Sequence, residues 1–158
     1  FNVGITKNPQ AKNIAKILEE FNEKLDRIPE KMKKRKLPIS KKHYRQAADQ
    51  LWRMACVKKW GQVDEIDGEP ANDVHHFYPK NSYGHLRYEI DNGVILSRKN
   101  HFKHHFKGDP AVHQAIISKR GQEWLKKLQK KAQERPQSYQ IIQWYKEQIQ
   151  RLKNYLES

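Results

Sequence analysis

At 158 residues the chain has room for one ordinary domain, or for a compact centre with helical extensions. Hydrophobic residues make up 36% and charged residues 32%, a thin core for that length, which favours long helices with a single apolar face. The formal charge of +14, from 32 Lys and Arg against 18 Asp and Glu, predicts a polyanionic partner such as DNA or RNA. It argues against a membrane protein only together with a second fact: no stretch of about twenty apolar residues exists.

No signal-peptide pattern opens the chain. It begins at Phe1 and not at Met, so the numbering is expected to describe part of a longer protein. The single cysteine, Cys56, excludes an intrachain disulfide and a multi-cysteine zinc site and fits a reducing compartment. The expected location is cytoplasmic, in the host cell if the protein is phage-encoded. Cys56 falls on an apolar helical face and reads as a small buried side chain.

In chain order, Asn8-Pro9 offers a cap and a first-turn proline. Ile14, Ile17, Leu18, Phe21, Leu25 and Ile28 follow at helical spacing, and Pro29 ends or restarts the helix. Residues 31–36 are nearly all basic. Ser40 is expected to cap a second long helix with Tyr44, Ala47, Ala48, Leu51, Trp52 and Ala55 inward, ended by Gly61. Residues 31–59 hold eleven basic side chains against one acidic, Asp49. That imbalance predicts phosphate contacts blind to sequence, carried by Lys33, Lys34, Arg35, Lys36, Lys41, Lys42 and Arg45, with His43 within the same run.

Residues 61–70 turn acidic and loop-like. Val74 to Phe77 is expected as a short strand closed by Pro79, Asp91-Asn92-Gly93 as a turn, and Val94-Ile95-Leu96 as a second strand. A short helix over residues 100–106 then places Phe102 and Phe106 on one face and His101 and His105 on the next. Asp109-Pro110 starts a further helix, interrupted near Gly121 and resumed through Trp124, Leu125 and Leu128. After Pro136 a last helix, from about Gln137, carries Ile141, Ile142, Tyr145, Ile149, Leu152 and Leu156, and either packs on the other helices or pairs two subunits. The fold class is thus α+β, a small hairpin-and-helix core in a mainly helical chain. Its expected regions are a basic helical one over 1–60, a core with following helices over 61–135, and a C-terminal helix over 136–158.

The chemistry gathers between Val74 and His105. His75-His76 is followed by Asn92 sixteen residues after His76, by His101 nine residues later, and by His105 one helical turn on. Histidines four apart on a helix lie one above the other, so His101 and His105 are a plausible pair of nitrogen ligands for one ion, with His75 as a third. Side chains alternate along a strand, which turns His76 away from His75 and leaves it to act on water as a general base. His104, His113 and His85 fall outside the set, His113 as a solvent-facing helix residue. Lys99 and Lys103 flank the histidines and are further candidates for phosphate contact.

The order His-His, Asn, His-x-x-x-His resembles the HNH nuclease motif, the ββα-metal centre in which a hairpin and a helix clamp one divalent ion. The spacing resembles that of the nuclease domains of DNase colicins. A more extended similarity, over about residues 41–128, is to the NinG (Rap) recombination nucleases of lambdoid phages. It rests on a basic helix before the motif, Leu86-Arg87-Tyr88-Glu89 with Asn92, and Phe106-Lys107-Gly108-Asp109-Pro110.

The resemblance implies His76 as general base, His75, His101 and His105 as metal ligands, and Asn92 as the residue that holds the hairpin loop and orients the base. Arg87 is a candidate phosphate clamp, since a guanidinium grips two oxygens at once. The expected cofactor is one divalent ion, Mg2+ or Mn2+ in turnover, with Zn2+, Co2+ or Ni2+ also favoured by nitrogen ligands. Products would carry 5′-phosphate and 3′-hydroxyl ends. The implied activity is DNA endonuclease, on branched or recombination intermediates, with DNA and a second copy of the chain as expected partners. A restriction, nicking or toxin nuclease and a non-catalytic nucleic-acid binder are the alternatives. Many HNH proteins bind a structural zinc through paired cysteines. Here Ser97 and Asn100 stand at the corresponding positions, so stability is expected from packing of Phe77, Ile95, Phe102 and Phe106.

Overall fold

The computed structural model describes residues 40–71, 73–106 and 109–158, together with Glu23; the side chains of His105 and Phe106 lie outside the description. Contacts divide the chain into Phe1–Ile39 and Ser40–Ser158, and the architecture below is that of the second unit. The predicted first helix and Lys33, Lys34, Arg35 and Lys36 fall outside the described residues, as do Lys107 and Gly108.

Ser40 precedes α1 (Lys41–Trp60) in extended backbone, yet its hydroxyl meets His43 Nδ1 at 2.8 Å and caps no amide. Ala47, Ala48, Leu51, Trp52, Ala55 and Cys56 make the buried stripe, the period of 3.6 read from the sequence. Burial pushes the Cys56 thiol far above its ordinary range, so it stays protonated and inert. Three alanines in that stripe let another helix approach closely. The occupant is α5 (Ile142–Glu157), whose Trp144, Tyr145, Leu152 and Leu156 are buried and whose main packing partner is α1. Of the stripe predicted for the last helix, Tyr145, Leu152 and Leu156 are buried within the unit. The helix starts at Ile142 and not near Gln137, because Gln140 adopts a left-handed φ of 61° and Ile141 is extended. Ile141 and Ile142 are consequently exposed.

The hairpin consists of β1 (Asp73–His76) and β2 (Gly93–Leu96), antiparallel, with His75 opposite Val94 and His76 opposite Gly93. β2 is buried throughout. Val94 and Leu96 join Phe77, Leu86, Val112, Ile116, Trp124, Leu128 and Ala132 in one apolar cluster, which α3 (Pro110–Arg120) and α4 (Gln122–Gln133) cover. Asp109 caps α3 by accepting from Ala111 N at 2.9 Å, with Pro110 in the first turn, and Gly121 at φ 88° separates α3 from α4. Between the two helices' reach and α1, Gly93 presses against α1: a Cβ there would collide with Cys56 Sγ and lie 3.2 Å from Trp52 Cζ2.

Residues 77–92 join the strands through two 3-10 turns, Gly84–Leu86 and Ile90–Asn92. Such a connection makes few ladder bonds, so its buried carbonyls need other donors. Each one from Arg87 to Gly93 has found one. Arg87 O accepts from His76 Nε2 (2.9 Å), Tyr88 O from Arg151 (2.6 Å), Glu89 O from Trp52 Nε1 (2.9 Å) and Ile90 O from Trp60 Nε1 (3.2 Å). Asp91 O accepts from Trp124 Nε1 and Arg120 (both 3.1 Å), Asn92 O from Phe77 N (2.8 Å) and Gly93 O from Arg120 (2.7 Å). The donors come from α1, α3, α4, α5 and β1, which converge on this arch.

Arg120 is the most buried cation of the set. Its side chain and that of Glu65 are 2% and 3% exposed. It donates to Glu65 Oε2 at 2.6 Å and lies over Trp60 and Trp124, 3.7 and 4.9 Å from the ring centroids. Glu65 in turn accepts from Ile95 N at 2.9 Å. A buried pair survives only when its remaining donors and acceptors are satisfied, and here the arch carbonyls complete the count.

α2 (Arg98–Phe106) starts two residues before the predicted position. Ser97 Oγ accepts from Asn100 N at 3.3 Å, and the Asn100 amide is drawn to Asp64 (3.0 Å) and Asp67 (2.8 Å). Asp64, fully buried, also accepts from Ser97 N (2.5 Å) and Ile66 N (2.7 Å). Burial alone would raise its pKa; the bonds from Ser97, Ile66 and Asn100 hold it below the ordinary carboxylate value. A polar clamp thus fixes the helix start to the loop of residues 61–71, through Ser97 and Asn100. Packing alone was expected there. Of the residues expected to supply it, Phe77 and Ile95 are buried, whereas Phe102 is 52% exposed; Phe106 lies outside the described side chains.

Gly93→Ala should lower stability by about 1–3 kcal/mol through overpacking against α1, measured by urea unfolding. Cys56→Ala in the same chain should recover part of the loss by removing the sulfur that the new methyl meets.

Candidate active site

Strand alternation separates the two adjacent histidines. His76 lies on the Gly93 side of the hairpin and stacks on Trp52 of α1, ring centroids 4.2 Å apart and planes 10° from parallel. His75 lies on the Val94 side and stacks on His101 of α2, centroids 3.4 Å apart. His105 sits one turn beyond His101 in the same helix; its side chain is outside the described residues. Among the described residues no three His, Cys, Asp or Glu side chains form a cage suited to a metal ion.

The tautomer of His76 follows from its partner. A carbonyl oxygen only accepts, so Nε2, 2.9 Å from Arg87 O, carries the hydrogen, and Nδ1 keeps the lone pair. Burial pushes the ring's pKa down to about 4, with the charges of Lys80 and Arg87 acting in the same direction and the Arg87 carbonyl and Asp49 opposing. The ring is neutral at physiological pH, the state a proton acceptor requires.

Asn92, fully buried, holds the loop between the strands from both sides. Its Nδ2 donates to Tyr78 O (3.1 Å) and Leu86 O (3.3 Å), and its Oδ1 accepts from Tyr78 N (2.8 Å). The segment that carries the Arg87 carbonyl is thereby tied to the end of β1.

Arg87 is committed to a carboxylate. Its Nε and Nη2 donate to the two oxygens of Asp49, at 2.9 and 3.0 Å, and Tyr88 OH donates to the same Asp49 at 2.9 Å. Two of the guanidinium's donors are thus taken, and Asp49 balances its charge. Asp49, Trp52 and Arg53 share one face of α1, at spacings of three and four. With Asp73, His75, His76, Lys80, Asn81, Arg87 and His101 they line a cleft of about 610 Å3.

The candidate site from sequence is thus gathered in part: His75, His76, Arg87 and His101 border one cleft, and Asn92 braces it from the interior. Lys41, Lys42 and Arg45 are exposed in the first turns of α1, Lys99 is exposed on α2 and Lys103 partly so. Sequence reasoning missed Asp49, Trp52, Arg53 and Lys80. The signal was present: Asp49 is the one acid in a strongly basic run, and its helical neighbours at plus three and plus four are Trp52 and Arg53. His113 is no solvent-facing residue. It packs on Phe77 and His104, at 4.5 and 4.9 Å between centroids, and burial lowers its pKa. His85 Nε2 meets Lys131 O at 3.2 Å.

Comparison with protein-family models, curated proteins and solved structures found no match to this chain. Its own residues carry any functional reading.

Because His76 is held below its free value of 6.5, to about 4, the unfolded chain takes up a proton that the folded chain refuses as pH falls below 6.5. The stability it contributes is complete above 6.5 and is lost progressively down to about 4. Urea unfolding at pH 7.5 and 5 should show a loss on the order of 1–2 kcal/mol attributable to this ring, and His76→Gln should shrink that difference.

Proposed function

We propose that the chain is a divalent-metal-dependent HNH endonuclease that hydrolyses DNA phosphodiester bonds, with branched or recombination intermediates as its substrates. The observation that carries the reading is the division of labour at the hairpin: one histidine of known tautomer over α1, its neighbour against a helical histidine, both on one cleft. Supporting it, the asparagine between them in sequence is buried and braces the loop that holds the base.

The donor types suit a divalent ion, since the neutral imidazole is a common metal ligand. His75 and His101 are adjacent imidazoles, and His105 follows one turn later on the same helix. These three would hold the ion. When bound, it supplies Lewis-acid polarisation of a phosphate oxygen and stabilises charge on the departing 3′ oxygen.

His76 does the proton work. Its Nδ1 accepts a proton from water as that water attacks phosphorus in line, and the Arg87 carbonyl keeps Nε2–H in place throughout. A phosphodiester in the cleft adds negative charge beside the ring and raises its proton affinity from the depressed starting value. Trp52, stacked on the ring, fixes the plane in which Nδ1 lies. Asn92 and the Asp49–Arg87 pair position the carbonyl and never touch the reacting atoms.

Duplex binding is assigned to the basic positions of α1 and α2. The first turn of α1 has Lys41 and Lys42 and no acidic residue, the opposite of what the helix macrodipole favours. Such a turn costs helix stability and gathers cations with free amides, a combination suited to phosphate.

His76→Ala should reduce metal-dependent cleavage by several orders of magnitude while leaving DNA affinity within a few-fold. Cleavage at the parental rate would remove His76 from the role, and a parent that binds yet never cuts linear, flapped or four-way junction DNA with Mg2+ or Mn2+ would leave only the non-catalytic binder. Affinity should fall about tenfold or more over a several-fold rise in salt. Replacing Lys41, Lys42 and Arg45 with Gln should flatten the log–log salt slope by about 0.9 per lost phosphate contact.

A further inference from the structure

Three cations and two carboxylates line the cleft: Arg53, Lys80 and Arg87 against Asp49 and Asp73. Their availability differs. Arg87 spends two donors on Asp49, and that pair is largely withdrawn from solvent, with side chains 16% and 28% exposed. Arg53 and Lys80 are both exposed, and neither has a hydrogen-bond or ion-pair partner among the described residues. Arg53 follows Trp52, on whose indole His76 stacks. Lys80 stands four residues past His76, where the chain has left β1 through Pro79. The two reach the cleft from separate elements, and the Lys80 charge is felt at the His76 ring.

We propose that Arg53 and Lys80 hold the non-bridging oxygens of the phosphodiester in this cleft, and that Arg87, which the sequence put forward for that task, is a positioning residue acting through its carbonyl on His76. The inference rests on the nuclease reading of the same cleft. Its physical basis is that an anion entering the cleft finds the Arg87 charge already balanced, so new charge-assisted bonds come from the uncommitted cations. A flexible lysine and a forked guanidinium approaching from two sides would bracket one phosphate beside the imidazole that activates water. Asp73 remains as the cleft's other carboxylate and limits how many anionic groups enter together.

The test is cleavage and binding of a fluorescent duplex by the full chain carrying Arg53→Gln, Lys80→Gln, both, or Arg87→Gln, across a salt series with Mn2+. Arg53→Gln and Lys80→Gln should each lower kcat/KM at least tenfold, the double variant at least a hundredfold, and each should flatten the salt slope of binding by about one contact's worth. Arg53→Lys and Lys80→Arg should restore most of the loss, and melting temperatures should stay near the parent's. Arg87→Gln should lower kcat with the salt slope of binding unchanged. Parental kcat/KM and slope in the Arg53 and Lys80 variants, in a parent that cuts, overturn the proposal and leave the nuclease reading standing. A parent that binds without cutting overturns the nuclease reading instead, and the salt slopes still decide whether Arg53 and Lys80 touch phosphate.

Discussion

The segment between the strands has to be held in one shape without a ladder to hold it. Seven consecutive carbonyls, Arg87 to Gly93, belong to half-buried or buried residues, and an acceptor left unmet and buried costs about 1–3 kcal/mol. The chain meets six of them with indole, guanidinium and imidazole hydrogens sent from four helices and the first strand, and the seventh, Asn92 O, with the Phe77 amide. That requirement explains several otherwise separate features: tryptophans in the middle and at the end of α1, an arginine buried between two of the indoles, and a last helix folded back on the first so that Arg151 reaches Tyr88. His76 is one of these donors. Its orientation is therefore a by-product of the same demand that shapes the loop.

The second constraint is the start of α2, which must present His101 to His75. A chain with one cysteine cannot use a thiolate metal knot for this. It uses a carboxylate instead, Asp64, which gathers three backbone amides and an asparagine side chain into a single node. Metal knots gain their strength from ligand bonds and are indifferent to much of their surroundings. A carboxylate node depends on exclusion of water, which the burial of Asp64 and Asn100 provides. The acidic, loop-like stretch of residues 61–70 for this reason sends Asp64 and Glu65 into the core.

The elements were legible wherever one local rule sufficed. The period of α1, the Asp109-Pro110 start and the glycine between α3 and α4 all follow from caps and spacing. The hairpin and its histidines were legible because strand alternation and helical spacing are geometric. What escaped were choices made between distant residues. Nothing near Arg87 in sequence announces that Asp49, thirty-eight positions earlier, will occupy its fork. Nothing near Arg120 announces Glu65. The start of α5 was misplaced because a left-handed Gln140 is a tertiary decision, taken against Gly84, which leaves no room for a side chain at that contact. Phe102 shows the converse: helical periodicity marked it for the core, yet it stays 52% exposed, because periodicity gives a face and not a depth of burial.

Three of the four tryptophans, Trp52, Trp60 and Trp124, donate their ring hydrogens to the arch, and one of them carries His76 on its face. The intrinsic emission of the chain is thus wired to the loop whose Arg87 carbonyl holds the His76 ring. A change in that loop alters the hydrogen bonding of these fluorophores, so the near-ultraviolet emission of the chain reads the condition of the segment between the strands without a label.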